Sequence, residues 1–71
     1  MREWLIHLRK VQGLTQNEVA SKAGISRSYY SGIEVGTRNV PVKTAKKVAS
    51  VLGFEWTIFF EQNGRKTSQS A

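Results

Sequence analysis

Most of the side chains that do chemistry in proteins are scarce in this sequence, and what remains is an excess of cations. The 71 residues contain no cysteine and one histidine, His7, with no second histidine to complete a metal site. No pair of carboxylates stands at acid–base spacing, and no nucleophile–base set can be assembled. No glycine-rich phosphate loop runs into Lys-Ser or Lys-Thr. Neither a metal, a cofactor nor a small-molecule ligand is implied, and an enzyme is the least supported class. Against this stand eleven Lys and Arg and only five acids, all glutamate, for a net charge of +6. Nine of the bases and four of the acids lie within residues 1–60, so the excess belongs to the part that can fold. Such an excess favours a polyanionic partner. Which cations could act together depends on the elements that carry them.

A chain this short makes one domain at most, near the size at which a single core can still hold a fold. Trp4, Leu5, Leu8 and Val11 recur at helical spacing and precede Gly13, which predicts a first helix over 2–12. Thr15 can cap the next helix while Glu18 reaches back to its amide, with Leu14 and Val19 as the flanking apolar pair. That helix runs over 15–23 and stops at Gly24. Ser26 offers a new cap almost at once, with Ile25 and Tyr30 at the same apolar spacing, so a third helix runs over 26–35 and crosses the second steeply. Pro41 suits a first helical turn. Ala45, Val48, Ala49 and Leu52 share one face of a fourth helix over 41–52, and Lys43, Lys46 and Lys47 share the other. Phe54, Trp56, Ile58, Phe59 and Phe60 fit a short fifth helix or a brief strand, of which the helix is preferred. Residues 62–71 carry no apolar side chain but the last alanine, so a disordered polar tail is expected after a domain of residues 1–61. The reading is all-α, with four to five helices. No run is long enough to span a bilayer and no secretory leader is evident, which predicts a cytoplasmic protein without a membrane partner.

The residues Gly13-Leu14-Thr15-Gln16, Val19-Ala20, Ala23-Gly24-Ile25-Ser26 and Ile33-Glu34, with Gly36 and Arg38 after them, are similar to the helix-turn-helix family of lambda-type phage repressors and Cro proteins. The resemblance covers about residues 4–60. Its physical content is local: Ala20 is small where two helices must cross, and Gly24 can take the positive φ that the sharp turn demands. It implies a compact lambda-repressor-like domain with the helix-turn-helix at the second and third helices, binding double-stranded DNA.

With Tyr30 and Ile33 facing the core, the 100° step of a helix turns Arg27, Ser28, Ser31, Gly32 and Val35 outward. In the resembling family that face reads DNA. Arg27 either bonds the O6 and N7 of a guanine or grips a phosphate, and both readings stand. Ser28 and Ser31 are short donors or acceptors. Gly32 would let the backbone approach base edges, where an exposed interior glycine otherwise costs a helix about 1 kcal/mol relative to alanine; the family often has a long side chain there. Thr15 and Gln16 open the second helix, whose free amides suit a phosphate, as the family's matching glutamine implies. Arg38, Asn39 and Lys43 are candidate contacts to the DNA backbone on the other flank. The Tyr29 hydroxyl either joins them or packs inward, and Lys46 and Lys47 read as a solvated face. Arg9 and Glu34 resemble a pair that joins the first helix to the third, a structural role shared with Ala20 and Gly24.

The function implied is a sequence-specific transcriptional regulator, a repressor that occludes a promoter. Specificity against a genome of competing sites calls for two half-sites, hence a homodimer on a pseudo-palindromic operator. The aromatic segment around Trp56, Phe59 and Phe60 either forms the dimer interface or completes the core. The alternative is an antitoxin-like or adaptor protein whose main partner is another protein. RNA binding is disfavoured because no exposed aromatic platform is evident.

Overall fold

Five helices follow one another in the structure, a computed structural model that describes residues 1–61. They are α1 (Glu3–Val11), α2 (Gln16–Ala23), α3 (Arg27–Val35), α4 (Val42–Leu52) and α5 (Ile58–Glu61), with no strand among the described residues. The all-α reading holds, and the aromatic segment ends in a helix. The expected polar tail, 62–71, lies outside the described residues.

The start of α2 is where local chemistry is most explicit. Thr15 is extended, its Oγ1 accepts a hydrogen bond from the Glu18 amide at 3.1 Å, and Glu18 Oε1 accepts one from the Thr15 amide at 2.8 Å. Two otherwise orphaned amides are thereby satisfied reciprocally. At the other end Gly24 takes φ 74°, and the Ile25 amide returns to the Ala20 carbonyl at 2.9 Å. This left-handed stop turns the chain so sharply that α3 begins three residues later, capped by Ser26 Oγ, which accepts from the Tyr29 amide at 3.0 Å. Ile25, paired with Tyr30 in the sequence as the apolar flank of this helix and so expected to turn inward, packs against the core but is only partly buried, because a turn this short stays at the surface where water can meet its carbonyls. Pro41 stands one residue before α4, in extended conformation, instead of within its first turn.

Ala20, 1% exposed, admits the close approach of α2 to its neighbours: α4 and α3 both pack on α2, and α1 packs on α3. Val19, Ala23, Tyr30, Ile33, Ala45, Val48 and Leu52 fill the space between them, with Leu5 from α1 and Val40 from the loop before α4. Trp4 sets its edge to Phe54 and Phe59, at centroid distances of 5.3 and 5.2 Å, so Phe59 is committed to the core. Two long-range side-chain bonds finish helix ends that no local cap reaches. Arg2 Nη1 donates to the Ile33 carbonyl at 2.6 Å, near the end of α3, and Gln12 Nε2 donates to the Leu52 carbonyl at 2.7 Å, at the end of α4.

Candidate nucleic-acid interface

The orientation of α3 is set from behind by a buried polar knot. Glu34, 2% exposed, receives Arg9 Nε on Oε2 at 2.6 Å, and Arg9 Nη2 and Gln16 Nε2 on Oε1 at 3.2 and 2.8 Å. Arg9 Nη1 also donates to the Leu14 carbonyl at 3.0 Å. One carboxylate thus ties α1, the start of α2 and the end of α3 together. Burial by itself would raise the Glu34 carboxyl, but the hydrogen bonds of Arg9 and Gln16, the adjacent Tyr30 hydroxyl and the charge of Arg9 outweigh it. The carboxyl is held below its ordinary range. The same pairing raises Arg9, through its hydrogen bond to Glu34 above all. The Tyr30 hydroxyl is buried beside them without a hydrogen bond to a described residue; burial first, then the carboxylate, push its phenol well above the usual range. Arg2 adds a second clasp, with its backbone amide on the Glu34 carbonyl at 2.7 Å.

With Tyr30, Ile33 and Glu34 turned inward, Ser28 and Val35 stand exposed on the opposite side of α3, Ser31 and Gly32 are partly covered, and Arg27 is exposed in the first turn, on the flank nearer Tyr30 and Glu34. The loop after α3 is laid back against the helix. The amides of Gly36, Thr37 and Arg38 all point at the Gly32 carbonyl, at 2.9, 3.0 and 3.3 Å, and the Tyr29 hydroxyl donates to the Asn39 carbonyl at 3.2 Å. Of the two readings left open for Tyr29, the structure shows the packing, since the ring lies partly buried against the core; its hydroxyl engages the loop. Asn39, Arg38 and, on the first turn of α4, Lys43 are exposed.

Gly32 is not an open patch of backbone. A Cβ added there would collide with Arg38 Cγ and come within 3.3 Å of Thr37 Oγ1 and 3.4 Å of Arg38 Cβ. Its missing side chain makes room for the stem of Arg38, a pairing across six residues that helix periodicity does not reveal. Gln16, assigned from the resemblance to a phosphate, has its amide engaged with Glu34. Thr15 serves the cap of α2, while the helix geometry leaves the Gln16 and Asn17 amides pointing out of the first turn. Of the lysines read as a solvated face, Lys46 lies over the Trp56 ring at 5.2 Å, and Lys47 lines a shallow depression of about 450 Å³ with Lys22, Ser50 and Val51. Arg2 and Gln12 were not legible in the sequence, because their partners are 31 and 40 residues away.

A family model described as helix-turn-helix matches residues 5–59 of this chain. The chain belongs to that helix-turn-helix family. Among helix-turn-helix proteins it is 48% identical to the HTH-type transcriptional regulator YqaF of Bacillus subtilis over 71 residues, which are all of this chain and 93% of that protein. It is 42% identical over 48 residues to the immunity repressor protein of Bacillus phage phi105, spanning 68% of this chain and 33% of the repressor. Among solved structures it resembles an alanine mutant of the restriction-modification controller protein C.Esp1396I. The TM-score is 0.69 and the identity 31%, over 82% of this chain and 75% of that one. The lambda-repressor-like reading of the sequence is thereby borne out at the level of family and fold, and the family is one of DNA-binding transcription regulators, not a class of enzymes. No helix among the described residues is long and apolar enough to cross a membrane.

Proposed function

We propose that this protein is a sequence-specific repressor that places α3 in the major groove of double-stranded DNA and blocks a promoter by occupying its operator. The observation that carries this reading is the division of α3 into two faces. Tyr30, Ile33 and Glu34 are locked into the core and the polar knot, while Ser28 projects on the opposite side and Arg27 stands exposed in the first turn, at the end of the helix that enters the groove in this class of motif. Arg27 reads a guanine, and Ser28 and Ser31 contact neighbouring base edges. The Gln16 and Asn17 amides at the positive end of α2 hold a phosphate on one flank, and Asn39 and Lys43 hold the backbone on the other. The immunity repressor and the restriction-modification controller among the similar proteins support a regulatory role of this kind. A second copy supplies the other half-site of a pseudo-palindromic operator. Of the C-terminal aromatics, Phe60, 43% exposed with its ring edge-on to Trp56, is the one left for that copy.

The test is selection of bound duplexes from a random pool, followed by titration of a selected and a scrambled duplex across a salt series. Affinity for both should fall with salt, by about 0.9 in the log–log slope per phosphate neutralised, while their ratio stays well above one. Arg27→Ala should cost about 1 to 3 kcal/mol on the selected duplex and relax one base position per half-site, whereas Lys43→Ala should weaken all duplexes nearly alike. A selected-to-scrambled ratio near one at every salt concentration would refute the repressor reading.

A further inference from the structure

Gly32 is one helical turn beyond Ser28 and, at about 100° per residue, about 200° from the buried Tyr30, so it occupies the middle of the outward face of α3. A side chain at this position would point where the proposed reading face points. Instead the site is filled from the loop: Arg38 Cβ and Cγ lie where a Gly32 side chain would begin, and Thr37 Oγ1 flanks them. The loop cannot easily withdraw, because the Gly36, Thr37 and Arg38 amides converge on the Gly32 carbonyl and Tyr29 holds Asn39. Arg38 as a whole is nevertheless exposed, so its stem lies on the helix while its guanidinium reaches solvent. The result is an arginine whose stem rises from the Gly32 position on the outward face of α3, on a backbone that starts outside the helix.

We propose that Gly32 and Arg38 form a composite reading position, in which Arg38 takes the place of the absent Gly32 side chain and specifies a base, beyond the backbone contact that its loop position implies. This rests on α3 being the reading helix, as proposed above. An arginine seated this way can offer two parallel donors to a guanine in the major groove, an arrangement that lysine cannot reproduce although it keeps the charge.

Binding-site selection with four purified variants tests the pair, each checked by circular dichroism for a native melting transition: Arg38→Ala, Arg38→Lys, Gly32→Ala and the double Gly32→Ala/Arg38→Ala. Arg38→Ala and Arg38→Lys should both lose preference at the same base position, by about five- to hundredfold against the wrong base. Gly32→Ala, whose methyl displaces the Arg38 stem, should lose preference there too, and the double variant should be no worse than Arg38→Ala alone. Unchanged base preferences in Arg38→Ala, with all duplexes weakened alike, would overturn the proposal and leave the α3 reading intact, provided Arg27→Ala still relaxes its own position. Intact preference in Gly32→Ala would overturn the composite position as well. A wild-type protein that does not discriminate selected from scrambled duplexes would sink both readings together.

Discussion

Arg9 and Arg27 carry the same guanidinium on the same small domain, yet their surroundings give them opposite uses. Arg9 is bonded to both oxygens of Glu34 and to the Leu14 carbonyl, in a site where the carboxylate is 2% exposed. Arg27 stands in water on the first turn of α3. The difference lies in desolvation. A buried charge must be paired by the protein itself, so Arg9 can only set geometry, joining α1 to α3 through Glu34 and, by way of Gln16, α2 as well. An exposed charge keeps its hydration until a partner replaces it, so Arg27 is available for recognition. The knot fixes the angle at which the outward face of α3 is presented. The proposed contact with a rigid duplex depends on that angle.

Breaking the knot should produce the largest effect in the protein. Arg9→Ala strands a buried carboxylate and should cost about 3 to 5 kcal/mol of unfolding free energy in a denaturant titration. Arg27→Ala should stay within about 0.5 kcal/mol of wild type. Equal losses in the two variants would erase the distinction between them.

Acid should loosen the same region. The Glu34 carboxyl is held below its ordinary value in the folded chain, so the stability it contributes is complete above the unfolded value of about 4.3 and is lost as pH falls through the lower, folded value. The melting temperature of the wild type should therefore drop below about pH 4.5 more steeply than that of Glu34→Gln, which starts lower but has no carboxyl to protonate at this site. Parallel slopes would show that Glu34 titrates as it does in the unfolded chain.

Thr15 lies between the two regions, as a cap of α2 and a neighbour of the proposed phosphate site. If it belongs with the structural set, Thr15→Ala should lower stability by about 1 kcal/mol, and Thr15→Ser should restore it. A loss of duplex affinity at unchanged stability would move it to the recognition side.

The smallest effect is expected at Tyr30. Its buried hydroxyl has no hydrogen bond to a described residue, so Tyr30→Phe should change stability by no more than about 0.5 kcal/mol, in either direction. A loss above about 1 kcal/mol would make the hydroxyl a fourth member of the knot.

What the sequence determined by itself was most of what works within a helix and its caps. The Thr15–Glu18 cap, the left-handed stop at Gly24, the Ser26 cap and the periodic burial of Val19, Ala20, Tyr30 and Ile33 are set by neighbours within one or two helical turns, and their residue types announce them. The Arg9–Glu34 pair, 25 residues apart, was reached only through the family resemblance. Tertiary structure alone decided the rest: that Gln16 joins Glu34, that Arg2 and Gln12 finish the ends of α3 and α4, that Phe59 is core while Phe60 is surface, and that Arg38 lies on Gly32. These depend on which segments meet once helices have packed. A long polar side chain has no periodic signature, and its partner is chosen by what the fold brings within reach and by the cost of leaving a buried polar group unpaired.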